Sequence, residues 1–117
     1  MRRIFMAAIA VTLAGAAKAD LVKVEDQSQF VSMISGKTLT RPLVKINLMP
    51  DGRIEGRGVT WEVEGTWSWK DGYFCRDLFW GGDALGYNCQ EVQATADGRI
   101  QFTSDRGAGD SAMFRLR

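Results

Sequence analysis

From Trp61 to Trp69 the chain reads WEVEGTWSW, with Trp61, Val63, Gly65, Trp67 and Trp69 at the odd positions and Glu62, Glu64, Thr66 and Ser68 between them. Successive side chains on a strand point to opposite faces, so this segment predicts a strand with one buried and one wet face. Val44, Ile46 and Leu48 alternate with Lys45 and Asn47 in the same way, Ile100 and Phe102 alternate with Gln101 and Thr103, and Ala112, Phe114 and Leu116 end the chain in the same style. Three Asp-Gly pairs punctuate these runs, Asp51-Gly52, Asp71-Gly72 and Asp97-Gly98. Both residue types tolerate the positive φ angles that tight hairpin turns require. Upstream, LVKVE at 21–25 is compatible with a short strand, and only Asp26 to Gly36 carries a helical pattern. There Asp26 is placed to cap, Gln29 sits at the reciprocal capping position, Phe30, Met33 and Ile34 share a face, and Gly36 suits the stop.

Consecutive strands joined by tight turns pair antiparallel. The expected fold is therefore mainly β, a small antiparallel barrel of seven or eight strands preceded by one short N-terminal helix, with a two-sheet sandwich as the alternative. The barrel is preferred because closure removes exposed edges and because a helix ahead of a meander can cap one end.

The first nineteen residues, MRRIFMAAIAVTLAGAAKA, change the chemical picture. Two arginines, an apolar run and a small-residue ending have the layout of a secretory signal peptide, with cleavage expected before Asp20. The apolar run falls short of the roughly 20 residues that cross a bilayer. Residues 1–19 are thus read as a signal peptide and 20–117 as one domain, periplasmic or secreted, with no membrane span after cleavage. Cleavage would leave 12 basic residues against 14 acidic ones, with neither a basic footprint for nucleic acid nor a polybasic stretch for an anionic membrane.

Both cysteines lie in GYFCRDLFWGGDALGYNCQ, residues 72–90. If Phe79 and Leu85 flank a loop around Gly81-Gly82-Asp83, opposed residues keep a constant sum of positions, and Cys75 falls opposite Cys89 as Asp77 falls opposite Tyr87. Opposed α-carbons sit roughly 4.5–5.5 Å apart, within reach of a disulfide, and an oxidising compartment favours the bond. A zinc site needs about four ligands, and the chain has two thiols and no histidine; the close Cys-x-x-Cys spacing of a redox pair is also absent. No metal or cofactor is expected.

Without histidine, the commonest general base and the usual partner of a nucleophilic serine are both missing, so no catalytic residue is assigned. The expected site is a barrel mouth lined by Trp80 with Arg76, Asp77, Tyr87 and Asn88, where a small polar ligand could stack and hydrogen-bond. Arg76 and Asp77 are neighbours in an otherwise apolar strand, so one of them faces inward, and an inward charge needs a partner. The remaining tryptophans, Trp61, Trp67 and Trp69, are most simply core. The alternatives are an enzyme built on Asp77, Asp83, Asp105 or Asp110, and a weak dimer in which an exposed strand, Arg53 to Gly58, pairs between chains; the domain is otherwise monomeric.

WSWKDGYFCRDLFWGGDALGYNCQ, followed by FTSDRGAGDSA, resembles a set of short exported bacterial proteins of uncharacterised function, and the likeness covers the whole of 20–117. Some members carry the label dihydrodipicolinate reductase. That label implies a glycine-rich nucleotide-binding βαβ unit, a second domain and a histidine-containing catalytic segment, none of which has a counterpart here, so the reductase reading comes last. By strand pattern alone the domain is also similar to calycin-type barrels, which implies binding of small ligands or inhibition of enzymes. The leading expectation is a non-enzymatic domain that binds a small molecule or an envelope protein.

Overall fold

A computed structural model describes residues 20–117; the signal-peptide reading of residues 1–19 lies outside them. Strand β1 (Val22–Lys23) is followed by helix α1 (Gln27–Ile34) and then by eight strands: β2 (Leu39–Arg41), β3 (Val44–Leu48), β4 (Arg53–Gly58), β5 (Trp61–Lys70), β6 (Tyr73–Trp80), β7 (Asp83–Ala94), β8 (Arg99–Thr103) and β9 (Ser111–Leu116). Each of the eight pairs antiparallel with the next, and β9 pairs back onto β2, closing an up-and-down barrel. The sandwich alternative is thereby excluded. Every edge of β4 is used, Arg53–Gly58 pairing with β5 on one side and β3 on the other, so the expected free strand for dimer formation does not exist.

The helix follows a strand instead of opening the domain. Val22 and Lys23 register with Ala94 and Gln93, pairing with β7 beyond the point where β6 begins. In α1, the Asp26 side chain accepts from the Gln29 amide at 2.8 Å, and Gln29 Oε1 accepts from the Glu25 amide at 3.3 Å. The expected cap is therefore formed, with its return bond one residue earlier than a capping box places it. Phe30 and Ile34 are completely buried, while Met33 stays half-buried at the margin.

Alternation along the strands decides what fills the barrel. Leu39, Ile46, Leu48, Ile54, Val63, Trp67, Phe74, Val92, Ile100 and Phe102 point inward and form the core. Phe30 enters one end of the barrel, with ring centroids 5.3 Å from Trp67, 5.0 Å from Trp69, 5.3 Å from Phe74 and 6.4 Å from Phe102. Such offset and edge-on pairs add about 0.5–1.5 kcal/mol each beyond area burial. The indole of Trp67 donates to the Met49 carbonyl at 2.9 Å, whereas Trp69 Nε1 is buried without a partner. Trp61 departs from the expected core role. It lies beyond the barrel wall, 54% exposed, next to the Gly81 turn.

The β6–β7 hairpin turns through two glycines, Gly81 (φ 58°) and Gly82 (φ 89°), so Trp80 opposes Asp83 and the loop is tighter than one flanked by Phe79 and Leu85. The extra residue is absorbed as a bulge: Phe79 pairs with Ala84 and Leu78 with Gly86, leaving Leu85 unpaired. Beyond the bulge the constant-sum register holds, and Cys75 opposes Cys89 in a disulfide with α-carbons 3.9 Å apart.

Candidate functional site

The turns joining β3 to β4, β5 to β6 and β7 to β8 share the end that α1 plugs. The turns joining β2 to β3, β4 to β5, β6 to β7 and β8 to β9 surround the other end, where a cavity of about 430 Å³ opens between the strands. Phe74, Phe102 and Leu48 form its floor, just above the plug. Ile46, Ile54, Leu78 and Trp80 form its wall, and Arg41, Asp110, Ser111 and Ala112 stand at its mouth. The volume lies at the lower end of the range typical of small-molecule sites, about 300–1,000 Å³.

Trp80 is held by what is missing opposite it. Gly58 of β4 presents bare backbone to the indole, and a methyl group at that position would collide with the six-membered ring. Glycine in a strand costs stability in general, and its place here is explained by close approach. Gly65 has a similar role against the Asp77 carbonyl, letting β5 and β6 curl tightly around the site.

Among the expected site residues, β6 alternation separates two groups. Arg76 and Trp80 share the inner face with Phe74 and Leu78 and line the cavity. Asp77 and Tyr87 oppose each other on the outer face, where Tyr87 is 57% exposed and Lys70 Nζ lies 5.7 Å from its ring centroid. Asn88 registers with Arg76, but its amide is committed to the β8–β9 connection, with Nδ2 donating to Asp105 Oδ1 at 2.8 Å and Oδ1 accepting from the Asp105 amide at 2.9 Å. Asn88 therefore anchors the 3-10 turn Asp105–Gly107 at the rim. The alternation rule identified that one of Arg76 and Asp77 faces inward. Which one followed only from the register.

Arg76 is half-buried, and its Nη1 donates to the Gly86 carbonyl at 2.7 Å. Among the described residues no carboxylate lies within ion-pair distance of it. Burial lowers its pKa from the ordinary arginine value, and Asp77, across the strand, pulls the other way. The guanidinium stays charged, because arginine does not lose its proton in proteins. Deeper in the cavity, Gln90 Nε2 donates to Ser104 Oγ at 3.1 Å. Arg41 at the mouth has its guanidinium carbon 5.6 Å from the Phe114 ring centroid.

Arg41, Gln90, Ser104 and Ser111 carry no expectation as site residues, and Asp110 enters only as a candidate acid or base. Gln90 was within reach of the sequence, because the constant-sum register places it opposite Phe74. Arg41 ends β2, Ser111 begins β9, and Ser104 and Asp110 lie in the β8–β9 connection; these segments meet β6 only through closure of the barrel, and no local pattern encodes that meeting. Of the four aspartates considered for a histidine-free enzyme, only Asp110 lines the cavity. Among the described residues no group of three or more candidate ligands could hold a metal ion, and no helix is long and apolar enough to cross a membrane. Comparison with known protein families, curated proteins and solved structures finds no match to this chain.

Proposed function

We propose that this is a non-enzymatic binding domain of the periplasm or the extracellular space that takes a small ligand with an apolar body into the open end of its barrel. The observation that carries this reading is the cavity: one end of the barrel is filled by Phe30 and Ile34, while the other keeps about 430 Å³ between Trp80, Leu78, Ile46 and Phe74. A concave, mostly apolar mouth with a few polar groups is the usual form of a small-molecule site. The disulfide fits the proposed compartment. Docking of an envelope protein is the second reading, favoured by Leu43, Val59 and Trp61, which stand exposed on the rim.

The test uses a neutral naphthylamine dye whose fluorescence rises in apolar surroundings. Wild-type protein is expected to enhance it saturably at one dye per chain, and Ala112→Trp, which places an indole in the mouth, is expected to abolish the enhancement while the protein stays folded by circular dichroism. Equal enhancement by both proteins, or none by wild type, rejects the reading. A protein docked on the rim would leave the dye in place.

A further inference from the structure

We propose that the ligand is an organic anion, a monocarboxylate with an aliphatic or aromatic body, whose acid group pairs with Arg76 while the body lies against Trp80 and Leu78. This inference rests on the ligand-binding reading above and specifies its chemistry.

The charged groups lining the cavity are Arg41, Arg76 and Asp110, two cations against one anion. Asp110 stands at the mouth beyond ion-pair distance of Arg76, and the neighbouring carboxylate that acts on Arg76 is Asp77, on the far side of the β6 backbone. A cation half withdrawn from water and paired to no carboxylate loses part of its hydration, and one backbone carbonyl restores only some of that loss. Arginine is a fork of five donors in one plane; with one Nη spent on Gly86, the remaining donors suit the two oxygens of a carboxylate. The Gly86 bond itself fixes the head group. Gly86 lies directly after the Leu85 bulge, so the irregularity in β7 sets the carbonyl that orients the guanidinium. Beside that head group the surface is apolar: Leu78 follows on the same face of β6 and then Trp80, whose indole is pressed against Gly58. A cationic ligand would meet Arg76 with repulsion, and a neutral one would leave its charge uncompensated.

The experiment displaces the neutral dye with decanoate, decanol and decyltrimethylammonium, which share one chain and differ in head group. For wild type, decanoate is expected to displace dye at a concentration about tenfold or more below that of decanol, and the ammonium is expected to be the weakest. Arg76→Met is expected to remove the advantage of decanoate while leaving decanol unchanged. A second readout needs no variant: lowering the pH through the decanoate carboxyl's ordinary range, about 4–5, should bring its potency to that of decanol. Equal potency of decanoate and decanol on wild type overturns the anion assignment but leaves the cavity as a binding site. Retention of the decanoate advantage in a folded Arg76→Met protein overturns the role of Arg76. Failure of the dye and all three competitors to bind overturns the binding reading itself.

Discussion

The two ends of this barrel are made by the same strands and look alike in hydrophobic pattern, yet one is packed solid and the other is hollow. At the plugged end Phe30 lies among four aromatic rings, and Phe30, Ile34, Val92 and Ile100 are entirely removed from water. At the open end Trp80, Leu78 and Phe114 are only partly buried, and Leu43, Val59 and Trp61 face solvent. The difference lies in what the sheet is given to pack against. An inward-facing residue becomes core where the helix supplies a lid and becomes a cavity wall where nothing does.

The largest expected effect therefore comes from removing the lid's anchor. Phe30→Ala should lower stability by about 3–5 kcal/mol, the usual range for a buried phenylalanine, read from urea or guanidinium midpoints. Because Phe74 is shared between the plug and the cavity floor, the loss should also weaken dye binding at the other end. If Phe30→Ala costs less than about 1 kcal/mol, the plug is not what distinguishes the two ends.

The disulfide comes next. Cys75 and Cys89 join the hairpin that rises to the Gly81-Gly82 turn at the open end, away from α1. A closed loop of about 15 residues corresponds to roughly 3 kcal/mol in the chain-entropy account. Replacing both cysteines by alanine should lower stability by about that amount, and thiol titration of the denatured, unreduced protein should find none free. Two free thiols per chain would remove the staple from the comparison altogether.

How much of this was legible in the sequence also differs between the ends. All three Asp-Gly turns lie at the plugged end, together with the capped helix, and both were readable because their chemistry is local: Asp71 and Gly72 adopt φ of 53° and 85° as such a pair should. The alternating strands were readable for the same reason, as was the Cys75–Cys89 pairing. At the open end the β6–β7 turn has its two glycines, but two other turns carry weaker signals. Pro42-Leu43 and Val59-Thr60 have no glycine or asparagine to announce a positive φ, yet Leu43 (φ 67°) and Val59 (φ 57°) both take one. Trp61 lies outside the core expected for it because alternation gives the face of a residue but not its height along the barrel. Asp77 and Tyr87 are close to Arg76 and Trp80 in sequence, but the pleat turns them to the outer face. Arg41, Asp110 and Ser111 arrive at the mouth through ring closure, a long-range event.

The smallest expected effect tests those unannounced turns. A β-branched residue in the left-handed region is strained, by roughly 1–2 kcal/mol relative to its normal conformations. Val59 makes little packing in return, being 52% exposed, although its amide donates to the Leu43 carbonyl at 2.7 Å and so ties two rim turns together. Val59→Gly keeps that amide and relieves the strain, while glycine's extra unfolded-state freedom takes back about 0.5–1 kcal/mol. The net expectation is a gain of order 0.5–1 kcal/mol in the denaturation midpoint. Asp71→Gly at the plugged end should gain nothing, because aspartate already tolerates the φ of 53° it adopts there. A stabilised Val59→Gly beside an unchanged or weakened Asp71→Gly would locate backbone strain at the open end specifically. Equal responses would mean that the two sets of turns differ in residue type but not in energy, and that the hollow end is set by packing alone.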